Sequence, residues 1–240
     1  AIGENGAVTS SSKHASQIGI DVLKNGGNAI DAAIAVGFAL SVTFPNAGNL
    51  GGGGFMVIRT SSGEVRTIDF REVAPQNASR DMYLDENGDV ISGMSLYTAH
   101  ASGVPGTVAG FEYAHERFGT KSWNYLLRPS IQLATNGFEL SFRDAMYLNA
   151  SRSFFLRDEE SAKIFAAQNN YSVGDLFIQK DLAKTLRRIS IGGADEFYNG
   201  VISDMIVQCM KRTGGIITKA DLANYKPIEI DPITFKYRDY

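Results

Sequence analysis

Apolar residues at the start of the chain recur with the spacing of two helices joined by a glycine turn. The first helix follows a short polar entry within Thr9–Leu23 and ends at Asn25–Gly27, "NGG", where glycine takes the left-handed conformation at low steric cost. Asn28 can cap a second helix, about Ala29–Val42, with Asp31 in its first turn. Because that second helix is apolar nearly all round and rich in alanine, we expect it to be buried and closely packed.

Two short segments then change to a strand-like pattern. Phe55–Thr60 and Val65–Phe70 are strand candidates, and the turn residues Ser61–Glu64 lie between them, so the pair predicts a β-hairpin. A polar turn at Leu84–Val90 follows. A loop of small residues, Ala101–Gly110, then leads into the next helix.

The rest of the chain has mostly helical patterns. The predicted helices are Val108–Arg117, Trp123–Asn136, Ser141–Ala150, Lys180–Ile189, Val201–Arg212 and Lys219–Tyr225. Thr218 followed by Asp221 marks the start of the last one as a capping box in which Asp replaces the usual Glu. Helices beside a hairpin, without an internal repeat or a clear linker, predict an α+β fold, and we expect residues 1–240 to form part of a single domain.

Composition excludes some classes of protein without choosing a function. The 240 residues are 44% hydrophobic with a formal net charge of −3, and the lack of a basic excess argues against nucleic acid as a partner. The single cysteine, Cys209, allows no internal disulfide, and its place on an apolar helical stripe favours a buried, inert thiol. The longest apolar run, Ala32–Leu40, is too short to span a bilayer.

A run of glycines precedes the first predicted strand in Gly48–Phe55, "GNLGGGGF". Its spacing matches neither a P-loop nor a dinucleotide-binding loop, and it leads into a strand rather than a helix N-terminus. Its apolar, β-prone flanks argue against a flexible linker. What remains is backbone without Cβ that another element or a ligand approaches closely, and the residues alone leave both alternatives open.

Arg71 lies where the pattern of the second strand stops, in Thr67–Pro75, "TIDFREVAP". Strand alternation puts Asp69 and Arg71 on one face and Glu72 on the other. A guanidinium there can hold a substrate carboxylate through two parallel hydrogen bonds. An ion pair with Asp69 or Glu72 is the simpler alternative, and the pattern alone favours it.

No complete catalytic machinery can be assembled from these residues. The histidines lack metal-ligand spacing and are expected to be surface or internally satisfied residues; they are His14, His100 and His115. No serine lies in a G-x-S-x-G elbow, and Ala1 offers no N-terminal hydroxyl or thiol nucleophile. We therefore predict no catalytic residue, no metal site and no cofactor in this chain.

Several longer segments carry a more specific signal. They are "NGGNAIDAAIAVGFAL" (Asn25–Leu40), "NAGNLGGGGF" (Asn46–Phe55), "DFREVAP" (Asp69–Pro75), "SGVPGTVAGF" (Ser102–Phe111), "GDLFIQKDLAKTL" (Gly174–Leu186), "GGIITKADLANY" (Gly214–Tyr225) and the closing "YRDY". In this order they resemble the large subunit of the γ-glutamyltranspeptidase family over nearly the whole chain. The resemblance implies an N-terminal-nucleophile hydrolase with an αββα sandwich, incomplete in this chain.

The resemblance also implies a precursor that cuts itself into a large and a small subunit, which stay together as a heterodimer. The new N-terminal threonine of the small subunit would take the γ-glutamyl group from glutathione or a similar donor and pass it to water, an amino acid or a peptide. In the family the large subunit continues beyond the position of "YRDY", where Asp239 stands in place of a glycine. We therefore expect the nucleophile to lie outside this chain.

One functional residue carries over from the family. The arginine of the "DFRE" motif binds the α-carboxylate of the γ-glutamyl substrate, and that position is Arg71, so the resemblance reverses the preference for an ion pair. Glu72 and Asp69 are then candidates to orient the arginine. Thr107 belongs to a packing loop and is not the nucleophile, and Gly51–Gly54 should pack closely beside the donor site.

Two alternatives to this activity stay open. A related cephalosporin or glutaryl acylase, or a poly-γ-glutamate capsule depolymerase, would present a carboxylate to the same arginine. The chain could also be a binding fragment without catalytic activity. The family implies a periplasmic or extracellular location, and we expect a signal peptide to have been removed before Ala1.

Overall fold

The computed structural model describes residues 3–238, and Asp239 of the closing motif lies outside them. The helices are α1 (Lys13–Lys24), α2 (Ala29–Thr43), α3 (Met94–Tyr97), α4 (Thr107–Phe118), α5 (Trp123–Asn136), α6 (Phe142–Ala150), α7 (Arg152–Phe155), α8 (Glu159–Phe165), α9 (Lys180–Tyr198), α10 (Val201–Thr213) and α11 (Lys219–Asn224), with a 3₁₀ turn at Ala99–Ala101. The strands are β1 (Phe55–Arg59), β2 (Val65–Asp69), β3 (Phe138–Glu139), β4 (Leu176–Phe177) and β5 (Ile228–Ile230). Helices and antiparallel strands thus occur together, as an α+β protein requires.

The chain divides into two compact units, each built from two separate stretches. Unit 1 contains the residues up to Asn49 together with Thr120–Ile191, and unit 2 contains Leu50–Gly119 together with the residues from Gly192 onward. The expectation of a single domain stays a prediction. None of the helices within residues 3–238 is both long enough and apolar enough to cross a membrane.

In unit 1, α1 and α2 form the predicted helical pair. Gly26 has a φ of +78° in the turn between them, the left-handed conformation expected of a glycine at that place. Asn28 and Asp31 form a reciprocal capping box at the start of α2. Most of α2 is buried, and Phe38 packs edge-on against Trp123 of α5 with ring centroids 5.3 Å apart. The predicted burial of α2 is therefore confirmed.

Asp31 also connects α2 to the segment that precedes α5. Its buried carboxylate accepts hydrogen bonds from the Asn28 N–H (2.9 Å), the Thr120 N–H (2.9 Å) and hydroxyl (2.5 Å), and the Lys121 N–H (3.2 Å). Burial by itself would raise the pKa of this carboxyl. The hydrogen bonds, led by that of the Thr120 hydroxyl, outweigh burial and lower the pKa below its ordinary value of 3.8.

Unit 2 contains a three-stranded antiparallel sheet in the order β1–β2–β5. The predicted hairpin forms β1 and β2, and β5 pairs with the other edge of β2, so that Phe55 and Ile228 both lie opposite Asp69. One face of the sheet is covered, and it includes the buried side chains of Ile58 and Ile68.

The other face of this sheet carries exposed apolar side chains. Because residues directly opposite one another share a face, Phe55 and Val57 of β1 lie on the same side as Ile228 and Ile230 of β5. Their exposed fractions are 58%, 69%, 60% and 43%. Asp69 and Thr67 of β2 lie between them, and exposed apolar side chains on both sides of a central strand are typical of a surface that a partner covers.

The structure differs from the sequence prediction in the second part of α9, in several short elements and at Cys209. Helix α9 consists of two helices separated by a kink at Gly193 (φ +64°), so the predicted helix Lys180–Ile189 corresponds to the first of them, and the second, which ends at Tyr198, was missed. After the kink, the Glu112 carboxylate accepts the N–H of Ala194 (2.7 Å). Several short elements were not predicted, namely α3, β3, β4, β5, α7 and α8, because elements of two to seven residues are too short for their periodicity to stand out. Cys209 is half-buried rather than buried.

Candidate substrate-binding site

Arg71 lies two residues beyond the end of β2, next to a buried anchor. Phe70 is buried and packs against Phe111 of α4 with ring centroids 5.7 Å apart, whereas Arg71 is exposed. The change from buried to exposed continues the alternation of the strand past its last ladder pair. The phenylalanine thus anchors the chain and leaves the next side chain in solvent.

The Arg71 guanidinium makes no hydrogen bond or ion pair with any residue from 3 to 238. Asp69 accepts a hydrogen bond from the Arg71 main-chain N–H instead (2.9 Å). The Glu72 carboxylate also lacks a hydrogen bond or ion pair within the same range. Within residues 3–238, the alternative of an ion pair between Arg71 and Asp69 or Glu72 was therefore wrong. An orienting role for Glu72 stays a prediction.

Both main-chain polar groups of Arg71 are held by side chains. Asp69 accepts from the N–H, and the Tyr225 hydroxyl donates to the carbonyl at 2.9 Å across 154 positions of sequence. We refer to Arg71–Gln76 as the arginine segment. Its first residue therefore presents a free charged side chain on a backbone that is fixed on both sides.

The remainder of the arginine segment is also held by residues that are distant in sequence. Val73 and Val104 exchange two main-chain hydrogen bonds, of 3.3 and 2.8 Å. At the end of the segment, the Gln76 N–H donates to the Asp221 carboxylate at 2.8 Å. Burial would raise the pKa of Asp221, but hydrogen bonds from the Thr218 hydroxyl and the main-chain N–H groups outweigh burial and lower it below 3.8.

The glycine run packs against the start of the arginine segment. A Cβ on Gly53 would lie 2.8 Å from the Arg71 Cα, and one on Gly54 would lie 3.0 Å from the Phe70 ring. Close packing beside Arg71 is therefore confirmed for these two glycines. It is wrong for Gly51, which is exposed and where a Cβ would meet nothing within 4 Å.

Gly52 joins this run to the start of α4. Its carbonyl accepts hydrogen bonds from the N–H groups of Gly106 (2.7 Å) and Thr107 (3.0 Å). Thr107 is buried in the first turn of α4. The predicted packing role of its loop is thus confirmed.

The histidines that the sequence offered have ordinary structural surroundings. The His14 ring is edge-on to Phe138 with centroids 5.6 Å apart, and the His100 carbonyl accepts a hydrogen bond from the Tyr83 hydroxyl at 3.2 Å. Over the part of the chain that the structure describes, no group of His, Cys, Asp and Glu side chains is arranged to hold a metal ion.

Sequence reasoning did not predict that Asp221 and Tyr225, in and next to α11, hold the arginine segment. The Thr218–Asp221 capping box was predicted and is confirmed, but its contact with Gln76 joins positions 145 residues apart. The only signal for Tyr225 was its place at the end of the matched segment "GGIITKADLANY".

Comparison with known proteins of similar sequence identifies the family of this chain. Residues 15–240 match the sequence model of the family described as Gamma-glutamyltranspeptidase. Two curated relatives, both called Glutathione hydrolase proenzyme, are 49% identical (Pseudomonas sp., strain A14) and 48% identical (Escherichia coli, strain K12) over 239 residues. Each alignment covers 99% of this chain but 42% and 41% of the relative, so the chain spans about two fifths of their length.

A solved structure agrees with the sequence comparisons. The γ-glutamyltranspeptidase of Helicobacter pylori superposes with a TM-score of 0.97 at 48% identity, covering 100% of this chain and 69% of the other. This likeness confirms the predicted α+β class and the predicted N-terminal-nucleophile hydrolase fold.

Proposed function

Since this chain belongs to the γ-glutamyltranspeptidase family, we propose that it is the N-terminal part of the large subunit of a γ-glutamyltransferase or glutathione hydrolase. Arg71 binds the α-carboxylate of a γ-glutamyl donor such as glutathione. The observation that carries the proposal is an exposed guanidinium, unpaired within residues 3–238, on a backbone held by Asp69 and Tyr225. The relatives named Glutathione hydrolase proenzyme support this choice of donor.

The chemistry of the donor fits a single arginine at this place. A γ-glutamyl donor has a zwitterionic amino-acid end and a neutral γ-amide. The Arg71 guanidinium can hold the α-carboxylate through two parallel hydrogen bonds, while acidic groups outside this chain would hold the ammonium. Fixing both ends aligns the γ-carbonyl with the nucleophile and removes much of the entropic cost of the reaction.

The bond-making groups in this proposal lie outside the chain. The N-terminal threonine of the small subunit attacks the γ-carbonyl carbon through its hydroxyl oxygen, and its free amine accepts the hydroxyl proton. The amide C–N bond breaks as the leaving amine takes up that proton. Water, or the amine of an amino acid or peptide, then cleaves the γ-glutamyl ester and regenerates the threonine hydroxyl.

The partner in this proposal is the small subunit cut from the same precursor. The exposed apolar face formed by Phe55, Val57, Ile228 and Ile230 supports a need for such a partner. Mass spectrometry of the purified, mature protein should therefore give two chains. A single, uncleaved and fully active chain would contradict this part of the proposal.

A stand-alone binding fragment makes a different prediction for the 240-residue chain by itself. Such a fragment should be monomeric, melt cooperatively and bind a γ-glutamyl ligand. On our proposal the isolated chain binds a dye that fluoresces on apolar surfaces and self-associates on size exclusion, because the sheet face is uncovered. A dye-silent monomer that binds ligand would favour the fragment.

A periplasmic or extracellular location is also part of the proposal, with a signal peptide removed from the precursor. Fractionation of cells that make the full-length precursor tests it. Mature enzyme in the periplasm or medium is expected, whereas activity confined to the cytoplasm would contradict it.

Arg71→Lys in the complete processed enzyme tests the substrate-binding role. Lysine keeps the charge but loses the planar fork, so kcat/KM for a γ-glutamyl anilide should fall by about 2–4 kcal/mol, or roughly 30- to 700-fold, mainly through KM. Arg80→Lys is the matched control, because the Arg80 side chain is 95% exposed and lies 3.6 Å from its neighbour Asp81. Equal kinetics for the Arg71 and Arg80 variants would reject the role of Arg71.

A substrate panel separates this activity from that of an acylase. Glutathione and a glutaryl amide both offer a carboxylate to Arg71, but only glutathione has the α-amine. We expect glutathione to be preferred by at least tenfold in kcat/KM. Preference for the glutaryl amide, or for poly-γ-glutamate, would replace the proposal with the related acylase or depolymerase activity.

A further inference from the structure

The region around α11 touches the arginine segment at both ends. The Asp221 carboxylate accepts the Gln76 N–H at 2.8 Å, and the Tyr225 hydroxyl donates to the Arg71 carbonyl at 2.9 Å. These residues are separated from their partners by 145 and 154 positions. Two anchor points at opposite ends restrict both the position and the tilt of the segment between them.

Tyr225 is itself held in place by a second tyrosine. Its ring stacks on Tyr198 with centroids 5.7 Å apart and an interplanar angle of 10°. The Tyr198 hydroxyl donates to the Pro105 carbonyl at 2.8 Å and accepts the Ala109 N–H at 3.3 Å. The stacked pair is thus tied to the loop before α4 and to the first turn of that helix.

Gly106 leaves the space that the Tyr225 hydroxyl occupies. A Cβ at position 106 would collide with that hydroxyl and with the Phe70 carbonyl. The Gly106 N–H is used as well, since it donates to the Gly52 carbonyl at 2.7 Å. The loop therefore admits the hydroxyl between α4 and the arginine segment, where a larger residue at position 106 would exclude it.

The Tyr225 hydroxyl keeps its proton at neutral and moderately alkaline pH. Burial, followed by the negative charges of Asp69 and Glu72, raises the pKa of Tyr225 to about 12. The hydrogen bond to the Arg71 carbonyl therefore persists at neutral and moderately alkaline pH.

We propose that Tyr225 is a positioning residue for Arg71, with Asp221 holding the far end of the same segment. The inference rests on the proposed donor-binding role of Arg71. Asp69 fixes the Arg71 N–H and Tyr225 fixes its carbonyl, so the direction in which the side chain leaves the backbone is set before substrate arrives. Preorganisation of this kind lowers the entropic cost of binding.

Tyr225→Phe in the complete processed enzyme tests the inference. Phenylalanine keeps the stacking ring but removes the hydroxyl, so KM for a γ-glutamyl anilide should rise about five- to twentyfold while kcat stays within about twofold. Tyr113→Phe is the matched control. Its hydroxyl donates to Glu229 at 3.0 Å in the same unit, so its loss should leave KM unchanged.

A double-mutant cycle shows whether Tyr225 acts through Arg71. In an Arg71→Lys background the guanidinium fork is already lost, so Tyr225→Phe should raise KM by less than about twofold further. A general structural role would give additive effects instead. Additive effects, or an unchanged KM for Tyr225→Phe in the wild-type background, would overturn the inference.

The outcomes separate this inference from the proposed function. If Arg71→Lys raises KM and Tyr225→Phe does not, donor binding by Arg71 stands and positioning by Tyr225 falls. If the wild-type enzyme does not turn over γ-glutamyl donors, both fall. Should Tyr225→Phe fail to mature, Asp221→Asn gives the second measurement, with an expected rise in KM of about two- to fivefold and no change in kcat.

Discussion

Asp31 in unit 1 and Asp221 in unit 2 stand at equivalent places in two capping boxes. Each carboxylate accepts a hydrogen bond from the main-chain N–H of its cap residue, Asn28 or Thr218. Each then reaches a main-chain N–H far along the chain, in the segment before α5 or at Gln76.

The two aspartates differ in what they hold and in how deeply they lie. Asp31 is fully buried and binds both Thr120 and Lys121, whereas Asp221 is 6% exposed and has the Gln76 N–H as its distant partner. Asp31 secures a turn between helices, and Asp221 secures one end of the arginine segment. The same local motif thus holds the segment before α5 in the first unit and one end of the arginine segment in the second.

Asp31→Asn should have the largest effect on stability. The amide nitrogen cannot accept the N–H and hydroxyl donors that surround this site, so buried donors lose their partners. We expect the free energy of unfolding of the complete enzyme to fall by about 2–4 kcal/mol, with KM unchanged in the fraction that stays folded. Denaturant titration and steady-state kinetics measure both, and a change in KM would show that Asp31 also affects the candidate site.

Asp221→Asn should cost less stability and reach the site. Fewer donors are stranded, so a loss of about 1–2 kcal/mol in the free energy of unfolding is expected, together with the rise in KM described above. The same two measurements apply. A stability loss with no change in KM would make Asp221 equivalent to Asp31.

Asp144→Asn provides the local reference with the smallest effect on stability at neutral pH. Asp144 forms a third capping box with Ser141, through hydrogen bonds of 3.1 and 2.6 Å, and it has no partner beyond that cap in the described part of the chain. A loss of about 0.5 kcal/mol, with kinetics unaffected, is expected. A loss as large as that of Asp31→Asn would show that the distant contacts contribute little.

Both aspartates, Asp31 and Asp221, should also make the free energy of unfolding depend on pH. Both folded-state pKa values lie below the ordinary value of 3.8, so each carboxylate contributes stability that is fully present above 3.8 and lost as the pH falls through the folded value. The stability difference between the wild type and Asp31→Asn should therefore shrink as the pH falls below about 3.8. Unfolding titrations at these pH values test this, and a constant difference would contradict it.

Elements with a strong local signal were predicted well. The structure contains the predicted hairpin, α1, α2 and α5, and the predicted bounds differ from the observed ones by at most a residue or two. These elements could be predicted because periodicity, glycine turns and caps are local properties. Arg71 could be singled out by its motif. The choice between a free guanidinium and an ion pair could not be made from residues that are neighbours in sequence, since the Asp69 carboxylate turns to the main chain instead.

Residue types and motifs were enough to identify the family, the main helices, the hairpin and the arginine at its end. Those features depend on residue type and on spacing over a few positions. The folded structure was needed to see that β5 joins the hairpin, that Gly53 packs on Arg71, and that Tyr225 and Asp221 hold the arginine segment. These contacts join positions far apart in the chain, where no local pattern links one partner to the other.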